Sequence, residues 1–276
     1  VKNPKEKIYN FKPSKRLGQN FLKEHSVVNK ICEAAELDGN DTVIEVGPGF
    51  GILTESILER VRHLFAIEKD KKLFHLLKNR FSDTANINIV NDDVLGLDFK
   101  RFNRKKDLKF VSNLPYNITS PVLSILLENR DLFSVIVIMV QKEVGERLAS
   151  APEKKNYGSL SVISQTYYDI KKVCNVPRTA FSPKPKVDSI VLKLVPITNF
   201  SNKIRDSLLY KNVVNASFSS KRKMIGNSLK SSYDKETIVD CLERSRIDGK
   251  RRAETLTVEE FVELANNFYQ LQQSIS

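Results

Sequence analysis

Thr42-Val43-Ile44-Glu45-Val46-Gly47-Pro48-Gly49-Phe50-Gly51-Ile52-Leu53-Thr54 decides the fold. A β-branched apolar run ends in three alternating glycines, and a helical pattern over Ile52–Glu59 follows at once. Glycines at such a turn let the backbone bend tightly and approach a ligand that side chains would block. Outward from this unit, strand-like runs at His63–Ile67, Ile87–Asn91, Lys109–Ser112, Ser134–Val140 and Ser189–Val195 accompany Thr42–Val46. Helical patterns at Ser26–Glu36, Lys71–Asn79 and Pro121–Glu128 lie between them. The alternation predicts an α/β, Rossmann-like domain built on a parallel sheet with right-handed crossovers. Ser182-Pro183-Lys184-Pro185 reads as a rigid loop before the last strand. After about Asn199 the β signal stops, and Asp206–Ser217, Arg222–Ser231, Lys235–Glu243 and Val258–Tyr269 all read as helices. Thr257 and Glu260 have the spacing of a capping box. The expected organisation is residues 1–199 as the Rossmann-like domain with a basic N-terminal arm, and 200–276 as a small all-α domain.

Composition narrows the function. The chain has 276 residues, 41% of them hydrophobic, which is ordinary for a globular protein and unlike collagen-like, disordered or disulfide-scaffold chains. Its longest unbroken apolar run, Val135–Val140, is far below the roughly 18 residues a membrane span needs. No apolar stretch follows the basic N-terminus, so a soluble cytoplasmic protein without a secretory signal is expected. Cys32, Cys174 and Cys241, and His25, His63 and His75, show no metal-ligand spacing, so no metal is expected. The net charge of +12 favours a polyanionic partner, most often nucleic acid. Basic residues concentrate in 1–23, in Lys221-Arg222-Lys223 beside Phe218, and in Lys250-Arg251-Arg252; a solvated face explains such runs equally well.

The glycine turn carries a choice of ligand. Dinucleotide sites use GxGxxG; here the pattern is GxGxG with Pro48 inside it and Glu45 just ahead. A carboxylate repels a pyrophosphate but attracts an ammonium and a sulfonium. That contrast favours S-adenosyl-L-methionine over NAD, with an ordinary turn as the remaining alternative. Glu68 ends the next strand, placed to accept both hydroxyls of a ribose. Asp92-Asp93 ends the third, where one carboxylate can take an adenine amine or simply cap a turn.

Asn113-Leu114-Pro115-Tyr116 follows the fourth strand. By itself it is a good turn. It also fits chemistry on an exocyclic adenine amine, a poor nucleophile because its lone pair is delocalised into the ring. Acceptors on the two N–H bonds, the Asn113 side-chain oxygen and the Leu114 carbonyl, favour the pyramidal geometry that returns the pair to nitrogen. Tyr116 offers a face on which an extruded base stacks.

With these residues in view, a resemblance emerges. Lys15-Arg16-Leu17-Gly18-Gln19-Asn20-Phe21-Leu22, the Glu45–Gly51 loop, Asn113–Tyr116 with Ile118-Thr119-Ser120-Pro121, Gln141-Lys142-Glu143-Val144, Tyr157–Val162 and Phe181–Ser189 resemble, in order, the ribosomal-RNA adenine dimethyltransferase family. The KsgA (RsmA) type of small-subunit enzyme is the nearest branch, and Phe218–Lys223 with Asn227-Ser228-Leu229 is similar to it too. The resemblance implies a class I S-adenosylmethionine-dependent methyltransferase domain in which Asn20, Leu22, Gly47, Glu68, Asp93 and Asn113 line the cofactor site. Glu45 and Gly49 belong to the same loop. It implies a target-adenine site at Asn113, Leu114 and Tyr116, with Phe181 as a second aromatic against the base, and RNA contact at Lys221, Arg222 and Lys223. The implied partner is 16S rRNA in the 30S precursor, two adjacent adenosines near its 3′ end each taking two methyls, and nothing suggests an obligate oligomer. Two departures stand out: Lys221 where an Arg is usual, and Gly145 where Ala is common. The alternatives are an Erm-like enzyme of 23S rRNA, a DNA adenine methyltransferase, and an assembly factor acting mainly by binding. Leu114 in place of a proline weighs against the DNA enzyme, and the Phe181–Ser189 and Phe218–Leu229 segments weigh against the Erm-like one.

Overall fold

The computed structural model describes residues 11, 13–14, 17–102, 107–220 and 222–275. Its strands are β1 (Phe21–Leu22), β2 (Thr42–Val46), β3 (His63–Ile67), β4 (Ile87–Val90), β5 (Leu108–Asn113), β6 (Phe133–Gln141), β7 (Tyr168–Val176), β8 (Phe181–Ser182) and β9 (Ser189–Pro196). Its α-helices are α1 (His25–Ala34), α2 (Ile52–Leu58), α3 (Lys71–Arg80), α4 (Thr119–Glu128), α5 (Lys142–Leu148) and α6 (Ser159–Tyr167). Then follow α7 (Ser207–Ser217), α8 (Ile225–Ser228), α9 (Lys235–Arg244) and α10 (Val258–Ile275).

Seven strands form one sheet in the order β4-β3-β2-β5-β6-β9-β7. Parallel pairing joins β2 to β3 and β5, β3 to β4, and β5 to β6, while β9 runs antiparallel to β6. The chain leaves β2 toward one edge and returns at β5 toward the other, so the strand order reverses between them. Open α/β sheets bind ligands at the carboxyl ends of the strands at such a reversal. All five residues of β2 are buried, as a central strand covered on both faces requires. Val43, Val111 and Val137 of the sheet pack in one apolar cluster with Val28, Ile31 and Ile57 of the covering helices. Burying each such side chain contributes about 1.5–3 kcal/mol. Asp70 caps α3, its carboxylate accepting the Lys72 and Leu73 amides.

The chain divides into two compact units. One runs to Gly145 and adds Ile170–Pro196; the other combines Glu146–Asp169 with Ile197 onward. The expected single boundary after residue 199 therefore differs from what is seen. Tyr157 and Val162 are buried in an apolar cluster with Tyr210, Val213, Val214, Phe261 and Phe268. Two hydrogen bonds fix them there: Tyr157 Oη donates to the Leu256 carbonyl at 2.9 Å, and the hydroxyls of Thr166 and Tyr210 are 2.6 Å apart.

Gly145 has a packing reason. A Cβ added there, in α5, would lie 2.1 Å from Ile190 Cγ2 of β9. In the helical unit the capping box forms: Thr257 N–H donates to Glu260 Oε2 at 2.8 Å and Glu260 N–H to Thr257 Oγ1 at 3.2 Å. The helix expected at Arg222–Ser231 is a turn followed by the short α8 and a 3-10 turn, Leu229–Ser231. Among the described residues no helix is long and apolar enough to cross a membrane, and no group of His, Cys, Asp or Glu is arranged to hold a metal.

Candidate active site

The glycine turn is built as its sequence predicts. Gly47, Gly49 and Gly51 have φ of 67°, 62° and 85°, a region that disfavours other residues. A Cβ on Gly47 would come within 3.1 Å of Pro115 Cγ, and one on Gly49 within 2.8 Å of the Phe21 ring. The missing side chains thus let three distant motifs close around one cleft. Asn20, Leu22, Glu45, Gly47, Gly49, Glu68, Asp93, Asn113, Leu114 and Tyr116 all line it.

Glu68, buried at the end of β3, is held from both sides. Its Oε1 accepts the Asp70 amide at 2.8 Å, and its Oε2 accepts the Gly49 amide at 3.4 Å. Burial nevertheless pushes its carboxyl up to about 7. Behind it, Asn91 Nδ2 donates to the Glu68 carbonyl at 2.8 Å and ties the ends of β3 and β4 together. Glu45 is more deeply enclosed, 1% exposed, and accepts the Thr54 hydroxyl at 2.7 Å. Burial raises it to about 8, with the negative charge of Glu68 adding to the rise. Burial thus makes the Glu45 carboxyl hold a proton more readily than a free one, and its oxygen anchors the first turn of α2.

At the next strand end, Asp93 Oδ1 accepts the Leu95 amide at 3.2 Å and Oδ2 pairs with Lys69 Nζ. The Lys69 ammonium holds the Asp93 carboxyl below its ordinary range. Asp92 turns to the local backbone and accepts the Asp93 amide at 2.8 Å.

In the tetrapeptide, Asn113 Nδ2 donates to the Asn20 carbonyl at 3.4 Å. The Leu114 amide donates to the Met139 carbonyl at 3.1 Å, and the Pro115 carbonyl accepts the Ile118 amide at 3.1 Å. Tyr116 is half-buried, its hydroxyl 2.6 Å from Ser189 Oγ. Phe181 is the exception. It is 2% exposed, pairs with Leu22 across the β1–β8 ribbon, packs in the apolar core and is not among the residues lining the cleft. Burial explains this: Phe181 belongs to the same apolar cluster as Val176, Ala180 and Val191, which withdraws its ring from solvent.

Sequence reasoning passed over several contributors. Gln19 bridges two elements, its Oε1 accepting the Ser14 amide at 2.7 Å and its Nε2 donating to Asp70 Oδ2 at 2.9 Å. Phe21 and Phe50 pack tilted, with ring centroids 4.2 Å apart, on the cleft wall, and Phe11 meets both edge-on. Lys69 also lines the cleft. The only local signal was the Gln19-Asn20-Phe21 segment; the partners are far away in the chain.

In the helical unit, Arg222 and Lys223 are exposed on the turn before α8, and Lys221 lies outside the described residues. A recess beside them is lined by Ser219, Lys223, Asn227, Ser228, Lys230 and Ser231, with no carboxylate among them. Ser228 Oγ is buried there without a hydrogen-bond partner among the described residues. Phe218 is not a free aromatic: its ring packs 5.6 Å from Phe261 and 6.1 Å from Tyr157. The third basic cluster is partly committed to structure, since Arg251 pairs with Glu260 at the head of α10.

A sheet of this order, with a glycine turn after β2 and acids ending β3 and β4, defines a class I methyltransferase. The chain belongs to the ribosomal RNA adenine dimethylase family, whose profile matches residues 10–270. It is 43% identical over 273 residues to the ribosomal RNA small subunit methyltransferase A of Clostridium botulinum (strain ATCC 19397 / Type A), covering 98% of this chain and 99% of that protein. Its fold is similar to a dimethyladenosine transferase from Plasmodium falciparum, with TM-score 0.80 and 27% identity, covering 91% of this chain and 98% of that one. It is also similar to the 23S rRNA methyltransferase ErmE, with TM-score 0.70 and 25% identity, covering 91% of this chain and 100% of that one.

Proposed function

We propose that this enzyme dimethylates N6 of two adjacent adenosines near the 3′ end of 16S rRNA in the assembling 30S subunit, as a cytoplasmic monomer using S-adenosyl-L-methionine. One observation carries the reading: the glycine turn, Glu68 and Asn113-Leu114-Pro115-Tyr116 converge on a single cleft. The cleft fits the cofactor chemically. Glu68 keeps acceptor lone pairs for ribose hydroxyls, and Asp93 offers a carboxylate to an adenine amine. Gly47 and Gly49 leave a backbone surface without side chains, and Asn20 and Leu22 close the wall. The bound cofactor supplies an electrophilic methyl group on a sulfonium.

The remaining work belongs to the tetrapeptide. With Nδ2 donating to the Asn20 carbonyl, Asn113 Oδ1 is left to accept one N–H of the target amine. The Leu114 carbonyl accepts the other. A hydrogen bond that strengthens as charge grows on nitrogen contributes about 1.5–3 kcal/mol, roughly ten- to a hundredfold in rate. Tyr116 presents its ring to the flipped base, its hydroxyl fixed by Ser189. The alkylated amine sheds its proton readily to water, so no general base is needed.

Arg222, Lys223 and the carboxylate-free recess supply the positive surface for RNA phosphates, together with Lys221. The likeness to ErmE supports large-subunit RNA as a second substrate reading. The small-subunit relative, 43% identical over nearly the whole chain, supports the first more strongly. Labelled S-adenosyl-L-methionine with undermethylated 30S subunits should yield N6,N6-dimethyladenosine in 16S rRNA. Label appearing only in 50S subunits or naked DNA would reject the assignment, and 30S binding without label would leave an assembly factor.

A further inference from the structure

Among the described residues lining the cleft is one cation, Lys69, that the reading above does not use. Lys69 follows β3 and Asp93 follows β4, and these strands pair in parallel with Ile67 opposite Val90. Their ends are clamped, because Asn91 Nδ2 donates to the carbonyls of both Glu68, at 2.8 Å, and Lys69, at 3.4 Å. From this fixed backbone the Lys69 side chain reaches along the cleft wall and pairs with Asp93 Oδ2, while the Leu95 amide holds Oδ1. The carboxylate is gripped at both oxygens by groups on different segments.

We propose that Lys69 is a positioning residue for the base end of the cleft: it orients the Asp93 carboxylate so that a free lone pair faces the exocyclic amine of adenine, and thereby sets the preference for an adenine nucleoside. This inference rests on the cofactor reading above. An ion pair this exposed, with side chains 57% and 37% accessible, contributes little to stability. Its effect is geometric. The ammonium also disfavours protonation of Asp93, keeping it an acceptor only. A base bearing a carbonyl in place of the amine meets that carboxylate lone pair to lone pair and is rejected, whereas an amine is accepted.

The test is calorimetric binding of S-adenosylhomocysteine and of S-inosylhomocysteine, which carries a carbonyl where adenine has its amine. Wild type should prefer the adenine compound. Lys69→Met should cut that preference by roughly five- to tenfold, as expected for one weakened hydrogen bond to a charged group, with Tm unchanged. Lys69→Arg should retain it. Asp93→Ala should abolish the preference, and adding Lys69→Met to Asp93→Ala should change nothing further. If Asp93→Ala removes the preference while Lys69→Met leaves it intact, the role of Lys69 is overturned and the cofactor reading stands. If Asp93→Ala also leaves it intact, or neither compound binds, both fall.

Discussion

The side-chain amide of Asn113 donates to the backbone carbonyl of Asn20, 93 residues earlier in the chain, across 3.4 Å. That contact fixes which end of the amide faces the cleft. The segment before β1 and the loop after β5 become one wall, and the oxygen of Asn113 is left for a substrate N–H. Removing it costs an acceptor and loosens the wall together. Asn113→Ala should fold, bind S-adenosylhomocysteine less well, and transfer methyl at least about tenfold more slowly. Single-turnover methylation of 30S subunits measures this, and a wild-type rate would remove Asn113 from the chemistry.

Glu68 is a different case, because a ribose contact acts equally in the ground and transition states. Glu68→Ala should weaken cofactor affinity with little change in the rate of saturated enzyme. With its carboxyl raised to about 7, the ionised acceptor becomes populated only as pH climbs through neutrality. Cofactor affinity should therefore rise across that range, and Glu68→Gln should flatten the dependence in a calorimetric pH series. Slow turnover at unchanged affinity would contradict the role.

Glu45 makes a prediction about stability. Folding raises its carboxyl from 4.5 to about 8, so the folded chain holds a proton that the unfolded chain releases between those values. This group's contribution thus becomes less favourable as pH rises through that window. Glu45→Gln, which keeps an acceptor for Thr54, should match wild type in Tm at the acid end and exceed it increasingly toward the alkaline end. A constant offset at every pH would show that the carboxyl does not titrate this way.

Gly145 tests packing alone. Gly145→Ala places a methyl 2.1 Å from Ile190 Cγ2 and should destabilise by about 1–3 kcal/mol. Ile190→Ala, which removes that Cγ2, should recover part of the cost of Gly145→Ala, measured against the Ile190→Ala chain alone in a denaturant titration. No recovery would mean that the strain is relieved elsewhere.

The basic turn should govern RNA and not the cofactor. Neutralising Lys221, Arg222 and Lys223 together should weaken 30S binding and reduce the slope of log affinity against log salt by about 2–3. Ser228→Ala should raise Tm, since a buried unpartnered hydroxyl is removed, without loss of cofactor affinity. An equal fall in cofactor affinity for the basic triple variant would mark the turn as structural.

Much of the fold was legible locally. Thr42–Val46 and His63–Ile67 form strands with the bounds read from their apolar pattern, and the Thr257–Glu260 box closes as its spacing predicts. Tyr168–Val176 was not legible, because its exposed and buried residues do not alternate cleanly on this edge strand. Missing it concealed that Glu146–Asp169 packs with the C-terminal helices. The helix expected from Arg222 begins only at Ile225, so Arg222 and Lys223 stand on a turn.

By itself the sequence determined the strands of the parallel sheet, the glycine turn and the residue types suited to a methyl donor and an adenine, since these follow from local periodicity and side-chain chemistry. Only the tertiary structure decided that Phe181 belongs to the core, that burial raises the Glu45 carboxyl, that Asn113 is turned by Asn20 and that Lys69 grips Asp93. Each depends on burial or on a partner distant in the chain. Desolvation and the direction of a hydrogen bond are properties of the folded surroundings, and no local pattern encodes them.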